Sequence, residues 1–135
     1  MTIHGYLKLD IDDVISLADS KDTSSGMCSI PYLIQEEYGY QKMKKGKHYL
    51  GGKATYLPEI SMRIYYTEEE CTLEEAQSAL IDEIYGTMEV QCSYTGYSEY
   101  TITGLELDKF TIGGHNLKHE IEDHIGDYCW IVIDE

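Results

Sequence analysis

The sequence predicts an α+β domain built on one antiparallel sheet, with two helices packed on a single face. Three observations carry that prediction. Period-two alternation recurs in "EISMRIYY" and "TMEVQCSY", two other stretches space their apolar residues as helices do, and the chain closes on the apolar run "YCWIVID". At 135 residues there is length for one domain with a real core. Hydrophobic residues at 42% against 26% charged mark a globular chain rather than a disordered one.

The elements follow in order. Ile3, Gly5, Leu7, Leu9 and Ile11 alternate with His4, Tyr6, Lys8 and Asp10, which predicts a half-buried strand. "DDVISLADS" offers an Asp cap and a short helical turn, and "KDTSSG" is turn material. "SIPYLIQEEYG" reads as a helix, capped by Ser29, with Pro31 in its first turn and Gly39 ending it. A basic loop, "QKMKKGKHYLGGKAT", follows. Ile60, Met62, Ile64 and Tyr66 then alternate on one strand face. Thr72 and Glu75 form a capping box, and Leu73, Ala76, Leu80 and Ile84 continue as a helical stripe that Gly86 stops. Met88, Val90, Cys92 and Tyr94 mark the next strand, and a turn leads to its hairpin partner, where Gly104 suggests a bulge. "HNLKHEIEDHIG" predicts a second amphipathic helix burying Leu117, Ile121 and Ile125, and "YCWIVID" a central strand.

From residue 58 the order is β-α-β-β-α-β, which resembles the ferredoxin-like arrangement. The reading is a single domain over 1–135. Residues 58–135 form the ferredoxin-like core, and residues 1–57 add an edge strand, short helices and the basic loop. That topology hosts many unrelated functions and implies none by itself.

Motifs for chemistry fail on inspection. His119 and His124 are five apart, about 140° around a helix, so "HEIEDH" is no H-E-x-x-H zinc site. "GKHYLGGK" puts Gly52 where a phosphate loop needs its lysine, and strand-like residues follow instead of a helix. "DIDD" lacks the rest of a calcium loop. Cys28, Cys71, Cys92 and Cys129 are too dispersed for a zinc knuckle or redox dithiol and read as small buried hydrophobes. No catalytic residue, metal or cofactor is expected. With no membrane-length apolar run and no secretory start, the expected setting is the cytoplasm.

Charge is the dominant signal. Ten Lys and Arg against 25 Asp and Glu give a net −15. Residues 42–56 hold five lysines and no acid, whereas residues 57–135 carry a net −15. "YYTEEECTLEEAQSALIDEIYG" alone has seven carboxylates and no base. Such a chain repels nucleic acid and anionic membranes and attracts basic proteins. Evenly spread over an expected ~7,000 Å² of surface, the charge is one per ~480 Å². Duplex DNA carries one per ~100 Å² on a ~10 Å cylinder, so imitation of DNA requires the acids to gather on one side. Tyrosine is also abundant, at 13 against one Phe and one Trp, and it is favoured where proteins meet.

The expectation is therefore a non-enzymatic inhibitor or adaptor that occupies a basic, nucleic-acid-binding surface of a partner protein. Glu74, Glu75, Asp82, Glu83, Glu120 and Asp123 would face that partner, with Tyr94, Tyr97 and Tyr100 around the hairpin. In acidity and size the chain resembles phage-encoded anti-restriction and anti-CRISPR inhibitors, some of them DNA mimics, in character and not in motif. The alternative is a ferredoxin-like small-ligand or metal-binding enzyme domain, its site between sheet and N-terminal flap, with His48, His115 and His119 as polar groups. A third reading is an oligomerising subunit that uses its tyrosines against copies of itself.

Overall fold

In this computed structural model, residues 1–11, 13–38, 44–45, 52–94, 100–102 and 110–135 are described. The strands are β1 (Thr2–Leu9), β2 (Ile15–Ala18), β3 (Cys28–Ser29), β4 (Lys44–Lys45), β5 (Gly52–Thr67), β6 (Leu80–Tyr94), β7 (Tyr100–Ile102), β8 (Phe110–Ile112), β9 (His115–Asn116) and β10 (Tyr128–Asp134). The helices are α1 (Ile30–Tyr38), α2 (Leu73–Ala76) and α3 (Leu117–Ile121), and a 3-10 turn spans Glu122–His124. One sheet runs β3-β2-β1-β10-β5-β6-β8-β9, with β4 beside β5 and β7 beside β6. Every pairing is antiparallel. The α+β class with an antiparallel sheet is therefore present.

The ferredoxin-like order is not. The expected helix begins as read: Thr72 accepts the Glu75 N–H while Glu75 reaches back to the Thr72 N–H. It ends at Ala76, however, and from Leu80 the chain is strand, pairing with β5 from Leu80↔Tyr66 to Gly86↔Ile60. The helical stripe misled because Leu80, Ile84 and Met88 are four apart, a spacing common to both periods. Lying against β5, the segment pairs backbone groups along a long ladder and still buries Ile84 and Met88. A similar exchange makes Ile15–Ala18 the strand β2 in place of a helical turn. All four residues are buried, and Asp10 Oδ1 accepts the Val14 N–H at 2.9 Å at the preceding bend.

Two sets of side chains divide the sheet. On the inner face lie Leu7, Ile15, Leu17, Met62, Ile64, Tyr66, Ile84, Cys129, Ile131 and Ile133, covered by Ile30 and Ile34 of α1 and by Leu117 and Ile121 of α3. On the outer face Tyr65 and Val132 meet Ala76 of α2, with Leu73, Cys71 and Trp130 packed alongside. The helices thus lie on opposite faces, a second correction. Each large apolar side chain removed from water contributes about 1.5–3 kcal/mol, so the inner face holds most of the stability. Ile125, expected inside, is exposed, because a 3-10 turn rather than a further helical turn follows Ile121.

β1 is not an edge strand either. It sits between β2 and β10, and β10 is central as its composition predicted. Ser29 Oγ accepts the Tyr32 N–H at 3.2 Å, consistent with the cap assigned to α1. Gly39, Gly104, the basic loop apart from the strand residues Lys44–Lys45 and 52–56, and the hairpin turn at 95–99 lie outside the described residues. No helix among the described residues is long and apolar enough to cross a membrane.

Candidate functional site: an acidic strap on an aromatic shelf

Alternation places His4 and Tyr6 on one side of β1, and Tyr128 and Trp130 on one side of β10. Pairing of the two strands then sets His4 opposite Trp130 and Tyr6 opposite Tyr128, while β5 adds Tyr65 beyond Trp130. The result is an aromatic shelf on the outer face. His4 stacks on Trp130 with ring centroids 4.0 Å apart, and Tyr6 meets Tyr128 edge-on at 4.9 Å. His4 Nδ1 and the Tyr128 hydroxyl share a 2.5 Å hydrogen bond. Burial, with the Glu70 carboxylate as the next cause, pushes the Tyr128 phenol up to about 12, so it stays protonated near neutrality.

Residues 68–76 cross this shelf as a strap, and each fastening is visible. Thr67 Oγ1 donates to the Glu69 carbonyl at 2.8 Å. The Tyr6 hydroxyl accepts the Glu70 N–H at 3.0 Å and donates to Glu69 Oε2 at 3.4 Å. Trp130 Nε1 donates to the Cys71 carbonyl at 2.9 Å. With its backbone tied inward, the strap turns Glu68, Glu69, Glu70, Glu74 and Glu75 out to solvent. Lys21 pairs with Glu69 at 3.1 Å, a pair exposed enough to contribute little. Tyr6→Phe is expected to cost about 1–2 kcal/mol, because it leaves the Glu70 N–H without its acceptor. Faster hydrogen exchange at the Glu70 amide, together with a lower urea midpoint, would check it.

Spacing decides what such a strap can imitate. Seven steps separate Glu68 from Glu75, and with one helical turn among them they span at most ~20–25 Å. Five carboxylates over that length leave four gaps that average at most ~5–6 Å, against 3.4 Å between charges along one DNA strand.

The expected contact residues fall into two groups. Glu74 and Glu75 lie on the strap, although Glu75 also closes the α2 cap. Glu83 is exposed on the same face, opposite Arg63 in the β5–β6 register, and beside it Ile81 and Tyr85 are exposed apolar surface. Asp82 turns to the inner side, half-buried, where its Oδ2 accepts the Tyr66 hydroxyl at 2.9 Å. Glu120 is half-buried on α3 with His115 at 3.5 Å, and Asp123 is exposed in the 3-10 turn. Tyr94 and Tyr100 pair through the β6–β7 ladder, and Tyr97 lies outside the described residues. The structure therefore places Glu74, Glu75 and Glu83 on the outer face and sets Asp82 on the inner one, with Glu120 and Asp123 on α3 and the turn after it. Sequence reasoning missed His4, Tyr6, Tyr128 and Trp130; alternation in "HGYLK" and "YCWIV" pairs them within each strand but says nothing of which strands adjoin.

A second polar cluster sits under α3. His124 stacks on Tyr66 at 3.6 Å, and its Nδ1 is 3.3 Å from Asp127 Oδ2. Burial, then the hydrogen bond to Asp82, pushes the Tyr66 phenol far above its ordinary range. Such a phenol stays neutral at physiological pH and cannot serve as a base there. His115 and His119 are exposed, and His48 lies outside the described residues. Among the described residues no group of three His, Cys, Asp or Glu side chains is placed to hold a metal ion.

Fold and face define an antiparallel α+β domain that holds a row of carboxylates over aromatic rings. Comparisons with protein families, curated proteins and solved structures find no match to the chain.

Proposed function

We propose that the protein is a non-enzymatic inhibitor or adaptor whose acidic outer face occupies a basic, nucleic-acid-binding surface of a partner protein. What supports the reading is the strap, five exposed glutamates within at most ~20–25 Å of chain, tied down through Tyr6 and Trp130 so that the carboxylates face outward. Among the described residues the ion pairs that join Lys or Arg to a carboxylate are Lys21–Glu69 and Arg63–Asp134, so the strap's charge is barely offset. Arg63 also faces this side, and it is turned to Asp134 at 2.8 Å. Glu68, Glu69, Glu70, Glu74 and Glu83 are the contact residues on this reading. The cytoplasm, where nucleic-acid-binding proteins are plentiful, is its setting.

The test compares capture of nucleic-acid-binding proteins at two salt concentrations. Capture by the immobilised chain should fall steeply between about 50 and 200 mM salt and should be competed by duplex DNA. Glu68→Lys with Glu74→Lys should weaken it about tenfold or more, since neither side chain is needed for the α2 cap. Glu37→Lys with Asp123→Lys changes the net charge equally away from the strap and should do much less. Equal effects from the two pairs, or capture indifferent to salt, would overturn the reading.

A further inference from the structure

β1 is longer than the strand it pairs with on one side. β10 runs beside Thr2–Tyr6, whereas β2 pairs only Tyr6–Leu9 before the chain turns away after Ala18. Met1 and Ile133 exchange both backbone hydrogen bonds, and the Leu7 N–H donates to Asp127 across the same ladder. Odd-numbered residues of β1 thus bond toward β10, and the N–H and C=O groups of Thr2 and His4 point the other way. Among the described residues no strand lies beside them.

This open edge borders a cavity. About 300 Å³ of space lies between it and the segment that returns to β3, lined by Ile3, Leu17, Cys28, Leu33 and Asp19. The lining joins the apolar Ile3, Leu17, Cys28 and Leu33 to the polar Thr2, His4 and Asp19. Among the described residues no Lys or Arg lines it. Open edges are ordinarily shielded by lysine, proline or a bulge, and Thr2-Ile3-His4 provides none of these.

We propose that the open edge of β1 binds an extended basic segment of a partner protein by strand addition. The segment pairs its backbone with Thr2 and His4 and places one apolar side chain in the cavity beside Ile3 and Leu17. The edge specifies an extended backbone, the cavity beside it has room for an apolar side chain, and Asp19 with a net charge of −15 selects a basic sequence. The same charge opposes a second copy of the chain as occupant. This proposal does not require the acidic strap to bind anything, and the two fail separately.

The probe is the capped peptide acetyl-Lys-Leu-Lys-Leu-Lys-amide at millimolar concentration, with isotope-labelled full-length protein followed by amide resonances. Thr2 and His4 should show the largest shifts and the largest gain in exchange protection. N-methylating the peptide at alternate residues separates pairing from charge, since only one parity points at the edge. One isomer should bind about tenfold more weakly, and the other should bind as the parent does. Equal binding by both isomers, or unshifted Thr2 and His4 amides, overturns strand addition. Slow exchange of those amides in the free monomer would mean the chain closes its own edge. Their protection in a dimer seen by sedimentation would make a second copy the occupant. Either result overturns the proposal.

Discussion

Gly86→Ala is expected to unfold the domain or to cost it roughly 3 kcal/mol or more, a large share of the 5–15 kcal/mol typical of folded chains. Where β6 passes the turn between β8 and β9, the two backbones touch. A Cβ on Gly86 would stand 2.5 Å from Gly113 Cα and 2.9 Å from its nitrogen, and Gly86 has φ +139°, where side chains are strained. Gly113 is the reciprocal case, with φ +58° and an added Cβ only 2.1 Å from the Tyr85 carbonyl oxygen. Because the obstacle is backbone, no rotamer change relieves it. The contact matters because it locks β8 onto β6: Gly113 N–H donates to Thr87 at 3.0 Å, and Met88 pairs with Ile112. Gly114→Ala is the control, since φ is +82° there but nothing lies within 4 Å. It should cost only about 1 kcal/mol of strain. Thermal or urea denaturation distinguishes the two, and equal losses would show that close approach is not what the glycines serve.

Stability is also expected to fall as pH rises past about 9, more steeply than exposed groups allow. The Cys129 thiol is fully buried on β10, and that burial, then Asp127, raises it well above its ordinary 9.0. Tyr66, raised from 10.0 by burial and by its bond to Asp82, follows. Both groups keep their protons in the fold after the unfolded chain has released them. Their contribution is therefore fully present below the unfolded value and is lost as pH climbs above it. Each group can add a slope on the order of 1 kcal/mol per pH unit. Cys129→Ala should flatten the decline that begins near 9, and Tyr66→Phe the part above 10. Urea midpoints measured from about pH 8 to pH 11 read both slopes. A midpoint that stays level through that range would show that neither group remains protonated in the fold.

Much of the architecture was legible. β1, β5, β10 and α1 were read from alternation, composition and caps, and the capping box at Thr72 and Glu75 formed as its residues require. The error at Leu80–Ile84 has a definite cause. Residues four apart satisfy both helix and strand, and only the presence of β5, with its long unpaired side, settles the choice. Part of the site was equally visible: Glu74, Glu75 and Glu83 were named, although Asp82, one residue from Glu83, faces the opposite side of the same strand. Glu68, Glu69 and Glu70 appeared only as charge.

By itself the sequence determined the sign and size of the charge, the antiparallel α+β class and the local identity of most elements, because these follow from composition and from periods a few residues long. The tertiary structure alone decided that β1 joins β10, that a stretch of glutamates is strapped over His4, Tyr6, Tyr128 and Trp130, and that among the described residues no strand lies beside Thr2 and His4. Those features join residues 59 (Cys71 and Trp130), 64 (Tyr6 and Glu70) and 132 (Met1 and Ile133) positions apart. Such pairings are set by which faces bury most area together, and no local pattern in the chain records that.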